Sequence, residues 1–116
     1  MPNGSPLTFE ALPGNSPGAV ILRLNGPIVL AGILPLRAQF RGSELPQLTI
    51  LDMSGVPYVD SAGMSEIINH HIYCRDRKVR LVVAAVTPRV LSMLQVTRLD
   101  HVLVLTETVE DAEALV

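Results

Sequence analysis

The 116-residue chain contains no tryptophan, two phenylalanines, two tyrosines and one cysteine. A lone cysteine, Cys74, cannot close an internal disulfide, which excludes a disulfide-stapled secreted scaffold. The scarcity of aromatics makes the core aliphatic and removes the stacking platforms that single-stranded nucleic acid needs. Neither sign of charge dominates: nine Lys and Arg stand against eleven Asp and Glu, for a net charge of −2. The densest basic group, Arg75, Arg77, Lys78 and Arg80, straddles an expected helix end, where cations suit the helix dipole. No direct nucleic-acid partner is expected. Long apolar runs are missing as well. The longest uncharged stretch, residues 24–36, is broken by Asn25, Gly26, Pro27 and Pro35 and falls short of the ~20 residues a membrane span needs. No basic, apolar-cored leader opens the chain, so cytoplasm is the expected compartment. Residues 1–6 read as a disordered lead-in and residues 7–116 as a single domain.

What is present is a high hydrophobic content, 48%, more than a free monomer of this size ordinarily carries and suggestive of an exposed apolar patch for a partner. Leu7 to Leu12 and Ala19 to Asn25 read as strands, joined by the turn-rich Pro13-Gly14-Asn15-Ser16-Pro17-Gly18 and therefore antiparallel. Leu30 to Arg41 reads as a helix with Pro35 in its first turns or at a kink. The apolar run Ile28 to Leu36 suits either core packing or an exposed docking or homodimer surface. Leu48 to Met53 is a buried strand. From Ala62 the period changes, and Met64, Ile67, Ile68, His71 and Ile72 mark one buried helical face. Val79 to Val86 is a strand, and Thr87-Pro88 opens a helix whose inner stripe is Val90, Leu91 and Leu94. Val102 to Leu105 is the last strand, and Thr108-Val109-Glu110-Asp111 resembles a capping box. The order β-β-α-β-α-β-α-β-α predicts an α/β domain with a mixed, mostly parallel sheet flanked by amphipathic helices.

Asp60-Ser61-Ala62-Gly63 follows a buried strand, on the side of a parallel sheet where open α/β folds place their ligand sites. Ser61 falls at or near a helix N-cap, where a hydroxyl accepts from free N–H groups. Phosphorylation there would set about −1.5 to −2 charges on the positive end of the helix dipole. The helix would tolerate that charge, whereas a partner docked above it would not. Catalytic alternatives are poorer. His70 and His71 lie about 13 Å further along the same helix, beyond side-chain reach of Ser61. No G-x-S-x-G elbow is present, and His101 would have to approach from elsewhere. His71 reads as a core histidine and His70 as a solvated one. Cys74 reads as a partly buried structural thiol, and Asp52 as a turn cap. The histidines and cysteine lack metal-site spacing. No catalytic residue, metal or cofactor is expected.

Leu48-Thr49-Ile50-Leu51-Asp52-Met53, followed by Val56-Pro57-Tyr58-Val59-Asp60-Ser61-Ala62-Gly63-Met64, resembles the signature segment of STAS domains. The segments Val79 to Val83, Thr87-Pro88-Arg89-Val90 and Leu94-Gln95-Val96-Thr97-Arg98-Leu99 are similar to the strand and helix that follow it in that family. The resemblance implies a protein-binding module of the anti-sigma factor antagonist type and not an enzyme. Its partner would be an anti-sigma factor that is also a serine kinase and brings its own ATP. By resemblance Ser61 is the phosphorylated residue, and Asp60, Ser61, Ala62, Gly63, Met64 and Ser65 form the partner-binding segment. Two departures stand out: Gly26-Pro27-Ile28-Val29 carries no acid where antagonists often have one, and Ser65 follows Met64 where glycine is common. A constitutive scaffold or dimerisation module and a small serine hydrolase are the alternative readings.

Overall fold

A computed structural model describes residues 6–42 and 44–115; of the expected lead-in only Pro6 falls within them, and residues 1–5 lie outside. Five strands form one sheet in the order β1-β2-β3-β4-β5: β1 (Thr8–Pro13), β2 (Ala19–Asn25), β3 (Leu48–Gly55), β4 (Arg80–Ala84) and β5 (Val104–Thr106). β1 pairs antiparallel with β2, as the turn-rich link predicts, and the remaining pairs are parallel. Each parallel crossover carries a helix: α1 (Ile33–Phe40), α2 (Ser61–Asp76) and α3 (Pro88–Val96). α4 (Val109–Glu113) closes the described chain.

Successive parallel strands step in one direction across the sheet. Right-handed crossovers therefore put α1, α2 and α3 on the same face. The core divides accordingly. Leu22, Leu24, Leu51, Met53, Leu81 and Val83 pack under these helices. On the other face, Ala19, Leu48, Ile50, Val82 and Ala84 form a smaller cluster closed by Ala112 of α4. Where that face runs out of cover it turns polar: Arg23 bridges Glu10 at 3.2 Å and Asp52 at 3.4 Å. Asp52 also accepts from the Ser54 amide and hydroxyl, so it holds the end of β3 much as the turn-cap expectation had it.

Several local expectations are resolved and others corrected. A 3₁₀ turn, Leu30–Gly32, precedes α1, and Pro35 sits in the first turn of α1, where its missing N–H leaves no helical bond unmade. The apolar run divides: Ile28, Ile33 and Leu36 enter the core, whereas Leu30 and Leu34 are each 72% exposed. β4 is shorter than expected, and residues 99–101 form a second 3₁₀ turn that delays β5 to Val104.

The largest correction concerns α2. Its buried face is Gly63, Glu66, Ile67, His70 and Cys74, rotated from the expected stripe, with Ile72 exposed and His71 half-buried. Polar pairing with α1 sets this rotation. Glu66, 2% exposed, accepts from Arg37 Nη2 at 2.8 Å and Nε at 3.1 Å. The Glu66 carboxylate in turn raises the Arg37 pKa. One turn on, the His70 ring stacks on Phe40 with centroids 4.1 Å apart, and His70 Nε2 lies 3.4 Å from Cys74 Sγ. His70 is thus a core residue, 1% exposed, and not solvated; Cys74 is fully buried.

Burial, reinforced by the nearby Arg41 charge and opposed by Glu66, lowers the His70 pKa to about 4. The unfolded chain therefore binds this proton first. His70 contributes its full stability above its unfolded value of 6.5 and loses it as pH falls toward 4. Urea unfolding at pH 7 and pH 4.5 should show an acid loss of roughly 2–3 kcal/mol attributable to this ring, absent in His70→Phe. An equal acid loss in wild type and His70→Phe would contradict the assignment.

Candidate functional site

The site is built where β3 hands over to α2. Ile28, just after β2, makes an isolated parallel bridge with Val59. The Ile28 amide donates to the Tyr58 carbonyl at 3.1 Å, and the Asp60 amide donates to the Ile28 carbonyl at 3.1 Å. The chain after β2 is turned into place by Gly26, whose φ of +106° lies in the region that side chains disfavour, and whose amide donates to the Gly55 carbonyl.

Asp60 then joins the two segments through its carboxylate. Oδ1 accepts from the Gly63 amide at 2.8 Å, capping α2, and Oδ2 accepts from the Leu30 amide at 3.1 Å. The cap is therefore Asp60, and Ser61 is the first residue inside the helix, one position later than an N-cap serine would stand. Both residue types are good N-caps. The carboxylate holds the position because it supplies two acceptors to two separate amides, which a hydroxyl in the same place would do less well. Relieved of the capping role, Ser61 is exposed.

Gly63 makes the junction possible. A Cβ there would collide with the Ile28 carbonyl oxygen and come within 2.8 Å of both Ile28 Cγ2 and Val59 Cγ1. The small residue lets the first turn of α2 lie directly on the Ile28 bridge, which keeps Asp60 within reach of both amides. The expected partner-binding segment thus has mixed exposure. Ser61 and Ser65 are exposed and, at i and i+4, share the outward face of the helix. Asp60, Ala62 and Met64 are half-buried, Met64 against the main core, and Gly63 is buried.

Four residues outside the expected segment flank it. Leu30 is tied to Asp60 by its amide and presents its side chain to solvent, with Leu34 one turn further on. Tyr58 is partly exposed, with the Arg89 guanidinium 5.1 Å from its ring centroid. Arg89 lies in the first turn of α3, which is capped by Thr87 accepting from the Val90 amide. A cation at the positive end of a helix dipole opposes local electrostatics, and that conflict was a signal available in the sequence. Catalytic geometry is not assembled at this site: Ser61 points outward, while His70 is directed into the core against Phe40 and Cys74. Among the described residues, no three His, Cys, Asp or Glu side chains cluster as metal ligands, and no helix is long and apolar enough to cross a membrane.

Asp60→Ala should cost about 1–2 kcal/mol by removing the cap and the Leu30 tie together. Gly63→Ala should cost about 1–3 kcal/mol by forcing the helix off the Ile28 bridge. Ser61→Ala should change stability by less than about 0.5 kcal/mol, because its hydroxyl is not the cap. Chemical denaturation of the three variants checks this ranking. A Ser61→Ala loss equal to that of Asp60→Ala would return the capping role to the serine.

The same fold occurs in solved structures. An anti-sigma factor antagonist from Mycobacterium paratuberculosis superimposes with a TM-score of 0.83 at 20% identity, over 95% of this chain and 93% of that one. A sulfate transporter family protein from Wolinella succinogenes gives 0.77 at 24% identity, over 86% and 85%. The Bacillus cell fate determinant SpoIIAA in its phosphorylated form gives 0.68 at 16% identity, over 94% and 100%. At these identities the likeness establishes the architecture. Sequence establishes the family: the STAS domain model matches residues 14–112, most of the chain and the whole of the Asp60–Gly63 junction. The chain belongs to the STAS domain family.

Proposed function

We propose that the chain is an anti-sigma factor antagonist whose surface around Ser61 binds an anti-sigma factor of the serine-kinase type and releases it when Ser61 is phosphorylated. The observation that carries this reading is the division of labour between neighbours: Asp60 caps α2, and Ser61 is exposed at its first position. A phosphoryl group on Ser61 would sit at the positive end of a 16-residue helix without breaking a structural bond. The same group would place a hydrated dianion next to Asp60, to which the exposed Leu30 is tied by its amide, on the apolar surface where a partner would close. Addition and removal of phosphate would then alter binding and leave the fold unchanged. The kinase partner would bring the ATP, and this chain would act in the cytoplasm by controlling the availability of a sigma factor, with no chemistry of its own.

A second reading is favoured by one observation. The loop Gly26-Pro27-Ile28-Val29 carries no acidic residue beside the site, unlike many antagonists. In this reading the same surface docks constitutively within a signalling complex or a homodimer, and Ser61 remains unmodified.

Mixing the chain with the serine-kinase anti-sigma factors of its own genome, with and without Mg-ATP, separates the two. The switch requires that wild type and Ser61→Ala both form a complex, that ATP adds one phosphoryl group to wild type only, and that Ser61→Asp binds at least about tenfold more weakly. A complex with equal affinity for all three forms and no phosphate uptake supports constitutive docking. No complex with any such kinase overturns the proposed partner.

A further inference from the structure

We propose a second binding site at the opposite end of α2: a cationic groove that holds an acidic, extended segment of a protein partner. The groove has a volume of about 350 Å³. Arg75 and Lys78 with His71 supply its polar lining, and Val79, Leu81 and Val104 its apolar lining. The function proposed for Ser61 uses none of these residues. A helix of 16 residues separates its ends by about 22 Å, so the two sites are separate surfaces.

The basic cluster in the sequence is sorted by the fold. Arg77 is committed elsewhere, with its guanidinium 3.5 Å from the Tyr73 ring centroid and a bond to the Tyr73 carbonyl. Arg80 is committed as well: it shares the α4 face of β4 with Val82 and Ala84 and donates to the Leu115 carbonyl, which leaves Arg75 and Lys78 for the groove. Arg75 is largely exposed and meets Asp76 only at 3.8 Å, and Lys78 is exposed. Lys78 adopts φ +60°, just past the end of α2, where glycine is the unstrained choice.

The lining decides the class of occupant. Arg75 and Lys78, exposed side by side on a chain of net charge −2, call for an anionic ligand by charge complementarity. The aliphatic lining calls for apolar side chains between the acidic ones. β5 borders the groove through Val104, 38% exposed, and among the described strands it is hydrogen-bonded on one side only, to β4. Its free edge suits an extended chain. Nucleic acid would use only the cations through its phosphates and leave the aliphatic lining and the β5 edge unmatched, whereas an acidic and apolar peptide engages all three. A bilayer would require several protruding apolar side chains, and in the groove lining only Val104 is exposed, with Leu81 recessed and Val79 half-buried.

Fluorescence anisotropy with a fluorescein-labelled decapeptide of glutamates interrupted by valines tests the proposal, using the full chain at low salt. The expected result is saturable binding that weakens as salt is added. It should fall at least about tenfold in Arg75→Glu/Lys78→Glu and by a smaller factor in the neutral Arg75→Gln/Lys78→Gln pair. Amide shifts should centre on residues 71–81 and 104–106, and Ser61→Asp should bind as wild type does. Absence of saturation up to millimolar peptide, or undiminished binding in folded charge-reversal variants, would overturn it. So would tighter binding of duplex DNA or phosphatidylserine vesicles than of the peptide. Any of these results would leave the Ser61 complex untouched, so the two proposals fail independently.

Discussion

One carboxylate organises this domain's working surface. Asp60 accepts from two amides that belong to different segments, Gly63 at the head of α2 and Leu30 after β2. Each bond alone is a modest contribution, about 0.5–1.5 kcal/mol net at this solvent-accessible junction. Together they fix the angle at which α2 leaves the sheet and the position of the loop beside it. The Ile28–Val59 bridge and the absence of a side chain at Gly63 give the two segments the close approach that the carboxylate requires. Ser61 is exposed because its neighbour has taken the structural task.

The body of the fold supports this junction without competing with it. Three helices on one sheet face give a continuous aliphatic core, and the Arg37–Glu66 pair with the Phe40–His70 stack locks α1 against α2. The lock is placed on the inward side of α2, so that Ser61 and Ser65 remain on the outward side. A partner arriving at the head of α2 meets a surface whose backbone is already ordered, and the entropic cost of docking is correspondingly small.

Much of this was legible in the sequence. Turn-rich punctuation, alternating strand and helix periods and the Thr87-Pro88 start signal gave the element order and the parallel sheet. The site was legible as a segment because Asp60-Ser61-Ala62-Gly63 concentrates cap-forming and small residues after a buried strand. Three features were not. The rotation of α2 was hidden because counting apolar residues assigns Glu66 and His70 to solvent, and their partners, Arg37 and Phe40, lie some thirty residues away on another helix. The choice between Asp60 and Ser61 as cap was hidden because local propensity ranks them together, and the deciding Leu30 amide is a tertiary neighbour. The delayed start of β5 was hidden because Val102 and Leu103 have strand propensity, yet Leu103 is drawn into the main core after a 3₁₀ turn.

The central claim is that a single carboxylate ties two backbone amides and so frees the adjacent hydroxyl. Native-state hydrogen exchange at the Leu30 and Gly63 amides reads both ties directly. Both amides should be protected in wild type, both should lose protection together in Asp60→Ala, and neither should change in Ser61→Ala. Retention of protection at Leu30 and Gly63 in Asp60→Ala, or its loss in Ser61→Ala, would contradict it.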